Sequence, residues 1–336
     1  MNGSLNVEII AEVAQGYQGS SLLVDLFVSA FLHTGANALK FQLIYADELA
    51  TKDYQYYELF KSLELQDTVW ANASKRVQER GKKIYFDVFG DHSLKVAMFC
   101  QADGVKISTT EFYNRRLLKN ALANFDTVLI STGGISEVDL DEMVQKDLKG
   151  HEASVILLHG FQSEPTPLVK SNLLKMASLK RKFPNFKIGY MDHTDGGSCQ
   201  AIDVPLMALG VGMDAIEKHL TLDRSLELED FVSGVSPEIF KMIVDKIRDY
   251  QPALGEGSLD LTSDELEYFK KAVKVAVASR DIVQGEPIKE DDFTFKRTSA
   301  SVTTDNIIKA EDIIYRTAAK SINCNEPVMK GDLWES

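Results

Sequence analysis

Along the first 250 residues, short apolar runs alternate with longer stretches whose apolar positions recur every three or four residues. The runs predict strands at Val7–Glu12, Ala38–Gln42, Lys83–Val88, Gly104–Ile107, Thr127–Ser131, Ser154–His159, Lys187–Asp192 and Ala215–His219. Between them, Ser20–His33, Ser136–Val144 and Leu168–Lys182 read as amphipathic helices. A last helix, Ser236–Tyr250, opens on a serine cap with Pro237 at its first position. Its apolar face is Ile239, Phe240, Ile243, Val244 and Ile247. Eight strands, each followed by a helix, fit an α/β chain folded as a closed TIM (β/α)8 barrel. An open doubly wound sheet is the alternative, but Glu12–Ser20 reads EVAQGYQGS, not the G-x-G-x-x-G such a sheet usually carries after its first strand.

The pattern changes after residue 250. Gln251–Ser258 reads as a linker, and Thr262 with Glu265 forms a capping box for a short helix at Ser263–Ala272. Within the remainder, Arg280–Phe293 aligns without gaps on Lys320–Leu333. Ile282 matches Ile322, Glu286-Pro287 matches Glu326-Pro327, and Gly285 pairs with Asn325, as two left-handed turns would require. The expected organisation is a barrel over 1–255, a linker with a short helix over 256–272, and a small pseudo-symmetric β-rich domain over 273–336.

Charge and cysteine usage narrow the class. A net charge of −13 over 336 residues argues against a nucleic-acid partner. No apolar run approaches the ~20 residues of a membrane span. Cys100, Cys199 and Cys324 are odd in number and without zinc-type spacing. With no basic-then-apolar segment at the N-terminus, the expectation is a reduced, cytoplasmic protein.

In a barrel of this kind the chemistry sits at the C-terminal ends of the strands. The polar residues expected there are Glu12, Lys40, Gln42, Asp87, Lys106, Ser131, His159, Asp192, His193 and His219. His193 and His219 end neighbouring strands and suit either a divalent metal with open positions or a hydrogen-bonded structural pair. Lys40 and Lys106 would attract a phosphate or carboxylate, or would simply be solvated. Glu12 is an acid, base or ligand, or a salt-bridge partner of a lysine. Ser131-Thr132-Gly133-Gly134 could offer hydroxyl and backbone N–H donors to an anion.

Several strings lie in the same order as in a known family: Ile10-Ala11-Glu12, Leu39-Lys40-Phe41-Gln42, Lys106-Ile107-Ser108, Ser131-Thr132-Gly133, Asp192-His193-Thr194 and Glu217-Lys218-His219-Leu220-Thr221-Leu222-Asp223. On these the chain resembles the sialic acid synthases, and its tail is similar to their antifreeze-like (SAF) domain, including Asp281-Ile282, Gly285-Glu286 and Lys296-Arg297. The resemblance implies condensation of phosphoenolpyruvate with an acylamino sugar aldehyde to give a nonulosonic acid and phosphate. It implies His193 and His219 as ligands of Mn2+ or Mg2+, and Glu12 and Glu111 as catalytic carboxylates. Lys40, Lys106, Thr109 and Ser131 would bind phosphoenolpyruvate, with Gln42 and Asp230 on the sugar side. Arg297 would reach the barrel of a second copy through a swapped C-terminal domain, in a homodimer.

The chain departs from the pattern at Gly16-Tyr17, usually Asn-His, and at Thr298-Ser299, usually Pro-Gly. Met191 replaces a serine, and Gln162-Ser163-Glu164-Pro165 replaces Asn-x-Tyr-Pro, which points to a different sugar contacted by Gln162. Asp87 stands where the family has a phosphate-binding threonine. Two other readings therefore stay open here. One is a metal-dependent lyase, epimerase or hydrolase acting on an acidic sugar, and the other is a non-catalytic paralogue.

Overall fold

A computed structural model describes residues 7–334. Among them, eight parallel strands close in sequence order: β1 (Glu8–Glu12), β2 (Ala38–Gln42), β3 (Lys83–Asp87), β4 (Gly104–Ile107), β5 (Val128–Ser131), β6 (Val155–His159), β7 (Lys187–Asp192) and β8 (Ala215–His219). β8 returns to pair with β1, Glu12 opposite His219, so the sheet has no open edge.

Period-two alternation sorts every strand into two faces. Ile10, Ala38, Tyr85, Leu129, Ile156, Leu158, Met191 and Ala215 fill the barrel interior. Ile9, Leu39, Phe86, Val105, Ile130, Leu157, Tyr190 and Ile216 pack outward against the helices. Each of the larger aliphatic and aromatic side chains among these stabilises the barrel by about 1.5–3 kcal/mol on leaving water, before chain entropy is subtracted.

The helices follow their caps. Ser20 and Ser136 accept from Leu23 N and Asp139 N and open Ser21–Thr34 and Glu137–Met143. Ser236 caps Pro237–Tyr250, which buries Phe240, Ile243, Val244 and Ile247. Leu168–Lys182 is not one helix as expected. A single turn, Leu168–Lys170, is separated from Leu174–Lys182, because Asn172 takes a left-handed φ of 42° that no continuous helix accommodates.

The chain divides into two compact units, Met1–Gly255 and Glu256–Ser336. In the second, Thr262 and Glu265 form the capping box of Ser263–Ala272, and β9 (Val275–Ala278) pairs antiparallel with β10 (Phe293–Lys296). The repeat is a structural one. Ile282 and Ile322 exchange backbone hydrogen bonds of 2.8 and 2.9 Å. Glu286 accepts from Val283 N, and Glu326 accepts from Asn323 N. Arg280 pairs with Asp292, and Lys320 with Asp332. Gly285 (φ 85°) and Asn325 (φ 64°) both adopt the left-handed turn. Asn325→Val is therefore expected to cost about 1–2 kcal/mol, whereas Gly285→Asn costs less, read from midpoints of urea unfolding.

Candidate active site

The inward-facing residues at the C-terminal ends of the strands change from apolar to charged within one step of the alternation. Ile10 is followed by Glu12, Ala38 by Lys40, Tyr85 by Asp87, and Ala215 by Glu217. Lys106 joins them from β4. These five groups are buried together. Lys40 Nζ contacts Glu12 Oε2 and lies 2.7 Å from Asp87 Oδ1 and 3.4 Å from Glu217 Oε2. Lys106 Nζ is 2.6 Å from Glu217 Oε1 and 3.8 Å from Asp87 Oδ2.

The electrostatics follow from this packing. Burial, with Asp87 and Glu217 adding to it against the pull of Lys40, pushes the Glu12 carboxyl up to about 8. Burial also acts to raise Glu217, but Lys106 and Lys40 outweigh it and hold that group at about 2. For Lys40, burial disfavours the ammonium, yet Asp87, Glu12 and Glu217 keep its pKa well above the ordinary value.

Above this cluster opens a cavity of about 310 Å³, lined on one side by Ser108, Thr109, Thr110, Ser131 and Gln162. Thr109 Oγ1 and Ser131 Oγ are 2.7 Å apart, and Gln162 Nε2 donates to both at 3.2 Å. Over β7 and β8 the lining is His193, His219, Glu164 and Asp230. His193 Nδ1–H donates to the Phe161 carbonyl at 3.1 Å, which leaves Nε2 with its lone pair free. That atom is 4.0 Å from Glu164 Oε1, and His219 Nε2 is 3.5 Å from the same oxygen. Burial lowers the pKa of both imidazoles, so both are neutral donors. The three donor atoms lie within 4.8 Å of one another, a set that fits a divalent cation with further positions open. Ser233 Oγ donates to Glu164 Oε2 at 3.0 Å and orients the carboxylate. Burial first, then Asp230, push Glu164 up to about 8, and burial raises Asp230 as well.

A larger cavity of about 490 Å³ lies against helices 137–143 and 174–182. Of its charged side chains, Glu137 and Lys182 pair with each other, Lys175 and Arg181 are the others, and it brings together no imidazole.

Several expected positions need correction. His159 and Asp192 do not reach the mouth. They share the outward face with Leu157 and Tyr190, where His159 Nε2–H donates to the Ser171 carbonyl at 3.0 Å and Asp192 pairs with buried Lys218 at 2.9 Å. Glu111 does not line the cavity among the described residues; its Oε2 accepts from Asn114 Nδ2 at 3.1 Å. Lys40 lies beneath the cavity floor and is not part of its lining. Gln42 and Asp230 do line the cavity, and Gln42 Oε1 accepts from Gln15 Nε2 at 3.1 Å. Arg297 follows β10 in the second unit and donates from Nε to the Ala272 carbonyl at 3.2 Å. Tyr17, at a departure from the family pattern, is a core residue packed edge-on against Trp70. Glu217 was missed as a site residue, although it stands two positions before His219 and so on the same strand face.

The NeuB family model matches residues 27–259, and the SAF domain model matches 273–333. The chain is 30% identical over 322 residues to N,N'-diacetyllegionaminic acid synthase of Legionella pneumophila subsp. pneumophila, spanning 90% of this chain and 89% of that protein. It is 26% identical to pseudaminic acid synthase of Campylobacter jejuni subsp. jejuni, over 98% of each. Its structure matches N-acetylneuraminic acid (sialic acid) synthetase of Leptospira borgpetersenii serovar Hardjo-bovis with a TM-score of 0.73 and 28% identity, over 80% of this chain and 93% of that one. With more than half its residues matched by one family model and its charged strand ends gathered at one barrel mouth, the chain belongs to the NeuB family and carries a SAF domain.

Proposed function

We propose that the protein is a nonulosonic acid synthase, condensing phosphoenolpyruvate with an acylamino sugar aldehyde and releasing phosphate. The observation that carries this reading is the division of one small cavity. A donor-rich sector of Lys106, Thr109, Ser131 and Gln162 adjoins an imidazole–carboxylate sector of His193, His219 and Glu164.

The first sector suits the anion. The Lys106 ammonium opposes its charge, and the clustered hydroxyls and amide turn donors toward phosphate oxygens. Gln42 and Asp230 face the sugar. A Mn2+ or Mg2+ ion held by His193, His219 and Glu164 would polarise the aldehyde as a Lewis acid. In the reaction, the enol carbon of phosphoenolpyruvate bonds to the aldehyde carbon, and the aldehyde oxygen takes a proton and becomes a hydroxyl. Positive charge develops at C2, opposed by the Lys106-bound phosphate and by Asp87 and Glu217, which line the same cavity. Water adds to C2 and gives up one proton; the C2 carbonyl then forms as the C–O bond to phosphate breaks and the remaining hydroxyl proton passes to the leaving phosphate. Glu12, held near 8 by its burial, is matched to giving the first proton and recovering the second near neutral pH. Glu111 has no such access.

Asp87 was the residue that favoured a different reaction class. Its pairing with Lys40 weakens that support, since an ammonium offsets part of its charge while the residue still lines the cavity. No helix among the described residues is long and apolar enough to cross a membrane, in keeping with a cytoplasmic enzyme on small, soluble substrates. Arg297 remains the candidate sugar contact from a second copy in a homodimer.

Incubating the protein with phosphoenolpyruvate, Mn2+ and a panel of acylamino hexoses is expected to release one phosphate per sugar consumed. Absence of release with every sugar, in protein that binds Mn2+, would overturn the condensation reading.

A further inference from the structure

β3 lies between β2 and β4, so its last inward residue falls between the two lysines that an anion needs. That residue is Asp87. Its Oδ1 is 2.7 Å from Lys40 Nζ and its Oδ2 is 3.8 Å from Lys106 Nζ. The Lys40 side chain is fully buried, has Glu12 and Glu217 as its other neighbours, and is absent from the cavity lining among the described residues. Lys106 does face the cavity, but Glu217 already sits 2.6 Å from it. Each ammonium thus carries a carboxylate before any ligand arrives, and Asp87 serves both.

We propose that Asp87 suppresses the anion affinity of the cavity by holding Lys40 below its floor and sharing Lys106, so that phosphoenolpyruvate binds tightly only alongside a divalent cation. The condensation reading supplies the identity of the anion; the charge pairing stands without it. An incoming phosphate meets paired lysines and the nearby Asp87 carboxylate, and a cation at His193, His219 and Glu164 adds the positive charge those lysines no longer offer. Removing Asp87 leaves Lys40 with Glu12 and with Glu217, which also serves Lys106, so the variants lose stability and their folding is verified before anion binding is compared. The lost carboxylate charge, a few ångströms from the anion, corresponds to a gain of about tenfold or more in affinity.

The test is calorimetric titration of the full chain with phosphoenolpyruvate and, separately, with inorganic phosphate, each with and without Mn2+. Wild type, D87N and D87T are compared, the first variant keeping the shape of the side chain and the second adding a hydroxyl. Thermal unfolding verifies that each is folded. Wild type is expected to bind either anion at least about tenfold more tightly with Mn2+ than without, and both variants to bind at least about tenfold more tightly than wild type in its absence. Wild type binding phosphoenolpyruvate equally well with and without Mn2+ overturns the proposal, as do folded variants that keep wild-type affinity for both anions. Phosphate release by wild type separates the two questions. A gain in anion binding without release from any sugar sinks the condensation reading and leaves the role of Asp87 standing.

Discussion

His219→Ala is expected to abolish Mn2+ binding and to lower kcat/KM by about 10³-fold or more, while the barrel stays folded. The ring ends β8 and converges with His193 and Glu164, so the substitution removes one of three neutral or anionic donors from a set within 4.8 Å. Two donors on a solvent-facing wall hold a divalent cation weakly. Loss of Lewis-acid polarisation is worth several kcal/mol in the transition state, which sets the scale of the rate effect. Stability is another matter. The backbone pairing of β8 with β1 and β7 does not involve the ring, so the urea midpoint should move little. Equilibrium dialysis against Mn2+ and single-turnover phosphate release check both halves. Wild type treated with a chelator should behave as the variant does and recover on Mn2+ addition, whereas the variant should not recover. Tight Mn2+ binding by His219→Ala would remove this site from the mechanism.

Glu217→Ala is expected to produce the largest loss of stability among the cavity residues. Glu217 is fully buried and is the nearest carboxylate to Lys106, with Lys40 3.4 Å from its other oxygen. Truncation leaves two buried ammoniums to share Asp87 and a Glu12 carboxyl whose pKa is pushed up to about 8. Breaking a buried pair in this way costs about 3–5 kcal/mol, chiefly through the charge left without a partner. Glu217→Gln keeps the shape and one acceptor oxygen, so it should cost less. Chemical denaturation of the two variants beside wild type measures the difference. Equal stability of Glu217→Ala and wild type would mean that the cluster is far better hydrated than its burial indicates.

These effects depend on a part of the site that was only half legible in the chain. The strand ends were readable because β-propensity and alternation are local. So were the caps at Ser236 and Thr262, each a hydroxyl placed before a helical run, whereas Ser20 and Ser136, read as the first residues of their helices, prove to be caps. The Gly285–Asn325 match was readable because a left-handed turn restricts residue type whatever surrounds it. Parity was readable too, but needed to be applied more strictly. His159 and Asp192 end their strands on the outward face, while Glu217 shares the inward face with His219. A strand end places a side chain at the mouth only when its alternation also turns it inward. The break at Asn172 was less accessible, since the helical periodicity of Leu168–Lys182 runs through it.

From the sequence alone came the eight strands, the caps at Ser236 and Thr262 and the two strand-end histidines, each encoded by neighbours a few residues apart, and the pseudo-symmetric tail, read by matching Arg280–Phe293 to Lys320–Leu333. The partners of the charges came from the tertiary structure. Lys106 meets Glu217 across 111 positions of chain, and Lys40 meets Asp87 across 47. Glu164 reaches the imidazoles from the loop that follows β6. Barrel closure brings these groups within a few ångströms in a buried setting, where Coulomb interactions are strong and desolvation is costly. Whether a lysine binds substrate or is held by a carboxylate is decided there.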